Sequence, residues 1–510
     1  MSNNQIFKVY DFSGGLNEKG QNVHLKENET PYCKNVVFDE LGALAKRKGY
    51  SSLLDTAIGI DQPIDGLYIF HKNDGTRYMI AVAGGGAYRI DEENRTASLL
   101  QYGDGTSVND LSDTDYVGFT TWGNTCYIAN GVDPIMEFDG TSVVKWDSAI
   151  PKGKYITSHK NMIFWAGDST SPSELYFSEI SPPAGSPGSY KSIKFQTDDG
   201  DKIMNIIKQQ DNLVVFKTDS IHVLYGSSEY NFSKREVQPT IGTIAPKTVT
   251  NLQNSIFFLY RDGVYIFDGS NTKLISNKIE PTIMSISEPN QCAGAVNNQK
   301  YFLAYSDGIV GSTNDKVMVF STIHGSWTRF DNYPVNMWNN FDGSQDGAVN
   351  LEELYFGSAE EGQIYKVGTG YDDDGEDISV EWRSKFYDMD AIEIVKTFRH
   401  IMVDNLTVGS FKFTYDVDKG TITRSFDIVG LIDDEKYLWD SQDWADDDGT
   451  IEDNELVWSP DESAKIFGSP LPSGTYGRNI RFIITDSSQE NLKLFGITLN
   501  YRPRRKRIVR

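Results

Sequence analysis

At roughly 150 residues per domain, a chain of 510 residues points to about three domains, and its 39% hydrophobic content with 27 Tyr, 27 Phe and 45 Gly supplies a large core and many turns. A small disulfide module and a disordered polymer are both excluded. The formal charge is −24, yet the last nine residues carry six positive charges, so the rest of the chain stands at −30. That excludes a general nucleic-acid-binding surface, which needs clustered Lys and Arg.

No stretch approaches 18 apolar residues, and Met1 to Gln5 lacks the basic and apolar regions of a secretory signal, so neither a membrane span nor an export route is expected. Cys33, Cys126 and Cys292 form an odd set without CxxC spacing and read as small core residues of a chain made in a reducing compartment.

Residues 1–60 are polar and are expected to form an N-terminal arm. Within it, Asn35-Val36-Val37-Phe38-Asp39 reads as one strand, followed by Gly42-Ala43-Leu44 and the basic cluster Lys46, Arg47 and Lys48. A lone strand must pair elsewhere, either closing a ring of blades or joining a neighbouring subunit.

From residue 61 to 375 a hairpin pattern recurs: an alternating aromatic and aliphatic run, a short Gly/Asp/Asn/Ser turn, and a second alternating run. The clearest copy is Ile256-Phe257-Phe258-Leu259-Tyr260, the turn Arg261-Asp262-Gly263, then Val264-Tyr265-Ile266-Phe267. Seven copies place their second strands at residues 88, 136, 176, 223, 265, 318 and 365, with intervals of 40 to 53 residues. That period suits propeller blades, because a single four-stranded blade cannot bury both faces and copies stacked around an axis protect one another. The expectation is an all-β chain containing a β-propeller of six to eight blades, with a sandwich or a string of unrelated hairpins as the alternative.

Tyr371 to Asp377 carries five carboxylates in seven residues and reads as a solvated linker. Beyond it, over 376–510, the strands lengthen. Ile378–Trp382, Phe398–Val403, Phe411–Tyr415, Ile480–Ile484 and Leu494–Leu499 alternate with period two, which predicts a C-terminal antiparallel β-sandwich.

Chemistry is sparse. Six histidines are scattered without zinc-ligand spacing, and GxSxG is absent. Gly242 to Thr248 lacks the second glycine of a phosphate loop and reads as a blade connection. The expectation is a non-enzymatic protein requiring no cofactor and offering no catalytic residue. Calcium is the one metal with a candidate site: Asp446, Asp448, Glu452 and Glu455 fall at positions 3, 5, 9 and 12 of an EF-hand-like loop, with Gly449 at position 6. Position 1 is Trp444, so a solvated acidic loop is the alternative. Lys46, Arg47 and Lys48, together with Arg502, Arg504, Arg505, Lys506, Arg507 and Arg510, are candidates for docking onto acidic partners, against a reading as plain surface charge or a mobile terminus.

Asp11-Phe12-Ser13-Gly14-Gly15-Leu16-Asn17, then Asn35-Val36 and Gly42 through Lys46-Arg47-Lys48-Gly49, resemble the opening of tailed-bacteriophage virion structural proteins. Ile241 through Val249, followed by Asp262 through Gly269, is similar to their central blades. The resemblance is to the propeller-containing hub or nozzle proteins of short-tailed phages. It implies a virion tail component made in the host bacterial cytoplasm, assembled with itself as a hexameric ring, next to portal, adaptor and tail-fibre proteins. Genomic DNA would pass through that ring without sequence-specific binding. The alternative is a tail-associated propeller that binds or hydrolyses host-surface carbohydrate.

Overall fold

The computed structural model describes residues 4–20, 24–39, 41–59, 62–196, 200–342, 352–407, 409–429 and 465–504. The chain is all-β and folds as two units, one made of residues 49–369 and one made of both chain ends, 1–48 with 370–510. No described helix is long and apolar enough to cross a membrane.

Residues 49–369 form a β-propeller with seven four-stranded antiparallel blades among the described residues. Blade 1 comprises Ile64–His71, Arg77–Ala83, Gly86–Asp91 and Thr96–Leu99. Blades 2 to 6 repeat this meander from first strands Gly118–Trp122, Tyr155–His159, Ile203–Gln209, Thr250–Leu252 and Ala293–Asn297. Blade 7 runs Val335–Asp342, Glu352–Ser358 and Ile364–Thr369. The first strands pack side by side in blade order, and Val335–Asp342 lies against Ile64–His71, so the ring is closed.

Each hairpin expected from the sequence is the middle pair of a blade. These strands are buried on both faces because a neighbouring blade covers each. Met162–Ala166 of blade 3 is buried at all five positions. Phe164, Leu175 and Phe177 meet Leu213, Val215 and Leu224 of blade 4, while Ile163, Trp165 and Tyr176 meet Tyr127 and Ala129 of blade 2. Trp327 is fully buried, its indole N–H donating to the Ile275 carbonyl at 3.0 Å, so it packs between blades 6 and 5.

The closing strand is not the one the sequence singled out. Gly49–Ser52 pairs antiparallel with Ile364–Thr369 as the fourth strand of blade 7. Tyr50 clamps it, with ring centroids 5.0 to 5.1 Å from Tyr333, Phe356 and Tyr365 and its hydroxyl donating to the Asn332 carbonyl at 2.9 Å.

Val36–Phe38 instead pairs with Leu44–Lys46 in the other unit. That unit is a β-sandwich. One sheet runs Lys465–Pro470, Lys396–Thr407, Leu492–Pro503, Leu44–Lys46 and Val36–Phe38, with Gln5–Val9 also paired to Leu492–Pro503. The second runs Tyr32–Lys34, Val380–Arg383, Ile480–Asp486, Ser410–Val417 and Ile422–Val429. Phe467 of the first sheet stacks on Phe426 of the second at 5.6 Å. The expected separate N-terminal arm is therefore corrected: its described residues up to 48 supply strands to the sandwich, because apolar residues such as Phe7, Val36 and Leu44 find their partners there.

The four strands between Glu29 and Lys46 are each only two or three residues long, too short for a period-two pattern to register. The acidic linker is also corrected. Asp372–Asp373 and Glu376–Asp377 form a hairpin, turned by Asp374 at φ +51° and Gly375 at φ +94°, the two left-handed residues of a tight hairpin turn.

Candidate functional site

In each propeller blade the first strand is innermost and follows the connection from the preceding blade, so the residues opening the first strands gather at one mouth of the axis. Charged residues recur there. Asp65 is the second residue of blade 1's first strand. Asp113 and Asp115 precede blade 2, Lys154 and Lys202 immediately precede blades 3 and 4, and Lys247 lies in the turn Pro246–Thr248 before blade 5. Asn336 is the second residue of blade 7's first strand.

The turn that presents Lys247 is held from several sides. Pro246 presets its first φ. Asn205 Nδ2 donates to the Pro246 carbonyl at 2.6 Å, and Thr248 Oγ1 both donates to the Ala245 carbonyl at 2.6 Å and accepts from the Leu259 N–H at 3.0 Å. Lys247 Nζ then donates to Asn336 Oδ1 at 2.6 Å. Asn336 Nδ2 donates to the Ile64 carbonyl at 2.9 Å and to Asp65 Oδ1 at 3.3 Å. The amide of Asn336 thus relays between an ammonium and a carboxylate from three different blades. All three residues are buried.

Burial raises the Asp65 carboxyl to about 7, with the negative charges of Asp113 and Asp115 adding to it and Lys247 and Asn336 opposing. Burial likewise lowers the Lys247 ammonium to about 8, against the pull of Asp65 and Asp115 and with Lys154 helping. Lys154 is lowered by burial, opposed by Asp115 and aided by Lys202. Two titratable groups of opposite type are thus brought toward neutrality from both sides, which marks a site worth testing.

Sequence reasoning missed this mouth. The available signal was a charged residue recurring at nearly the blade period, at 154, 202 and 247, one to three positions ahead of an inner strand. Without the inner strands assigned, that spacing is lost among the chain's many charges.

The residues singled out for docking divide into three groups. Lys46 and Arg47 are corrected: both are buried and held within the sandwich. Lys46 Nζ lies 3.0 Å from Asp486 Oδ2, and the Arg47 guanidinium takes Asp373 in two bonds of 2.7 and 2.6 Å. Arg47 also donates to Asn35 Oδ1 at 2.9 Å. A side chain 1–2% exposed cannot meet a partner, and a fork matching a carboxylate explains why an Arg stands there. Lys48 is exposed, its ammonium 3.7 Å from the centre of the Tyr371 ring.

Arg502 lies in the sandwich strand Leu492–Pro503, in register with Thr397. Arg504 folds over the Tyr476 ring at 4.0 Å and donates to Thr397 Oγ1 at 2.8 Å. Arg505, Lys506, Arg507 and Arg510 lie outside the described residues, as do the calcium candidates Asp446, Asp448, Glu452 and Glu455. Among the described residues no three His, Cys, Asp or Glu side chains are grouped so as to hold a metal ion.

No family model matches the chain, and no curated protein matches its sequence. Solved structures similar to it include YCF48 from Cyanidioschyzon merolae, at 9% identity and TM-score 0.41 over 62% of this chain and 98% of that one. The extracellular domain of the putative one-component system BT4673 from B. thetaiotaomicron is similar at 11% identity and TM-score 0.45, over 80% of this chain and 57% of that one. PorZ of Porphyromonas gingivalis is similar at 13% identity and TM-score 0.37, over 74% and 46%. Likeness at this distance says nothing of what the chain does.

Proposed function

We propose that the chain is a non-enzymatic structural component of a bacteriophage tail, a hub or nozzle ring below portal and adaptor that forms part of the conduit for DNA ejection. The observation that carries this reading is that the residues resembling tail proteins are joints of the fold. The two N-terminal pieces meet in space: the Phe12 N–H donates to the Gly42 carbonyl at 2.9 Å, and a Cβ on Gly42, at φ +86°, would lie 2.7 Å from Asp11 Oδ1. In the propeller, Thr243 Oγ1 donates to the Leu259 carbonyl at 2.9 Å and Thr248 accepts from the same residue, so the segment 241–249 is fastened to the strand leading into 262–269. Residues that fix backbone joints are those a shared fold retains.

On this reading copies assemble into a six-fold ring in the virion tail, and the acidic body keeps passing phosphates hydrated instead of holding them. The test is mass photometry with negative-stain microscopy on the purified protein, alone and mixed with portal and adaptor proteins. Closed rings of about six copies in either sample are expected by the symmetry of such assemblies. Persistent monomers of 57.3 kDa in both would overturn the reading.

A further inference from the structure

Lys247, Asn336 and Asp65 bring an amine, a carboxamide and a carboxyl group together out of water, at 8%, 8% and 5% exposure. Other buried lysines of the chain are met differently. Lys46 takes the Asp486 carboxylate and the Ser488 carbonyl, and Lys396 donates to the backbone carbonyls of Asp388, Ala391 and Arg478. Lys247 Nζ has one hydrogen-bond acceptor among the described residues, the side-chain amide of Asn336 at 2.6 Å. An amine facing a backbone carbonyl can be acylated there only by cutting the chain, whereas a side-chain carboxamide gives up ammonia and leaves the backbone whole.

The two atoms to be joined are close. With a C=O bond of about 1.2 Å, Lys247 Nζ stands no more than about 3.8 Å from Asn336 Cγ. The terminal torsion of an Asn side chain is broad, so a small rotation turns the face of that carbonyl toward the amine. Asp65 lies on the leaving side: Asn336 Nδ2 donates to its Oδ1 at 3.3 Å, and to the Ile64 carbonyl at 2.9 Å. Attack needs an uncharged amine and departure needs a proton donor. Burial favours both states, drawing Lys247 down to about 8 and Asp65 up to about 7.

We propose that the three side chains are a self-cross-linking site, in which Lys247 and Asn336 join through an isopeptide bond and Asp65 carries the proton. The uncharged Lys247 amine attacks Asn336 Cγ and forms the new C–N bond. Protonated Asp65 gives its proton to Nδ2 and takes up the one shed by Nζ; the Cγ–Nδ2 bond breaks and one ammonia leaves. Nothing is oxidised or reduced, Asp65 ends as it began, and each chain reacts once. The product ties the connection into blade 5 to the first strand of blade 7, across a sequence separation of 89 residues and beside the seam where blade 7 meets blade 1.

The test is intact-mass spectrometry of the denatured full chain, after purification and again after prolonged warming of the folded protein, followed by tryptic peptide sequencing. A mass below the 57.3 kDa of the sequence by one ammonia, about 17 Da, is expected, together with a branched peptide joining the segment around Lys247 to the segment around Asn336. Lys247→Met and Asp65→Asn are each expected to keep the full mass and to yield the two peptides unlinked. The measurement on the parent chain decides the matter even if a variant fails to fold. The full mass in the folded parent after warming, or a loss of about 17 Da without the branched peptide, as cyclisation of an asparagine alone would give, would overturn the proposal. A branched peptide still formed by Asp65→Asn would overturn the part assigned to Asp65.

Discussion

Replacing Asp373 by Ala separates two roles for the basic cluster Lys46 to Lys48. In the structure Arg47 and Asp373 are each about 1% exposed and joined by two bonds of 2.6 and 2.7 Å. Removing one member of such a pair leaves an uncompensated buried charge, which costs about 3–5 kcal/mol. Arg47 keeps its bonds to Asn35 Oδ1 and to the Lys48 carbonyl, so the lower end, about 3 kcal/mol, is expected. For a unit of this size that lowers the sandwich transition by roughly 6–12 °C.

Scanning calorimetry, with the transition assigned through the fluorescence of the buried Trp382, measures the shift. The double variant Arg47→Met with Asp373→Leu removes both charges and should return to within about 1 kcal/mol of the parent, because an apolar pair of similar volume often replaces a buried ion pair without loss. Added NaCl at about 0.5 M should change little, since buried pairs are poorly screened. A shift under 2 °C for Asp373→Ala, combined with salt-sensitive loss of assembly in Arg47→Met, would refute the burial argument and restore Arg47 as a docking residue.

Three further outcomes follow from individual side chains. His159 is 3% exposed and burial lowers it to about 4; its folded value lies below the ordinary 6.5, so its contribution is present above about pH 6.5 and lost as pH falls toward 4. About 2 kcal/mol should be gone at pH 5, and His159→Phe should flatten that slope in urea unfolding at pH 5 against pH 7. Tyr50→Ala removes an aromatic ring packed against Tyr333, Phe356 and Tyr365 and should destabilise the propeller by about 3–5 kcal/mol, read from its calorimetric transition. Burial pushes the Cys292 thiol up to about 12 and the Cys126 thiol higher still, so a thiol-specific disulfide reagent should leave both unlabelled in the native protein at pH 8 and label them in urea.

The parts of the fold legible in the sequence are those whose burial is two-sided or strictly alternating. Met162–Ala166 and Ile256–Phe258 lie between neighbouring blades and read as apolar runs, while Ile480–Asp486 alternates buried and half-buried along its whole length. The outer strands were illegible for the opposite reason: Ser233–Gln238 is exposed at its first four positions, and nothing in Ser-Lys-Arg-Glu-Val-Gln distinguishes it from a loop. Likewise a Lys46-Arg47-Lys48 run looks like surface charge until the carboxylates that neutralise it, at residues 373 and 486, are brought alongside by pairing more than 300 positions away. The mouth stayed hidden because Asp65, Lys247 and Asn336 are joined only through the ring, across blades 1, 5 and 7.

Where the propeller begins is therefore set by pairing, and it can be tested by excision. The sequence rhythm starts near residue 61, but a fragment cut there lacks Gly49–Ser52 and exposes the edge of Ile364–Thr369 together with the Tyr333, Phe356 and Tyr365 rings that Tyr50 covers. It also loses Leu54 and Ile58, which are 1% and 6% exposed and belong to the core between blades 7 and 1. Two buried aliphatic side chains and one aromatic, at about 1.5–3 kcal/mol each, amount to most of the stability a single domain has to spare. An unpaired apolar edge adds an aggregation hazard. A fragment of residues 49–369 contains every blade strand and should unfold cooperatively near the propeller transition of the full chain, whereas 61–369 should be insoluble or melt far lower. Equal melting temperatures for the two fragments would mean that the ring is held by its inner strands alone and that the strand at Gly49 is an ornament of blade 7, not its closure.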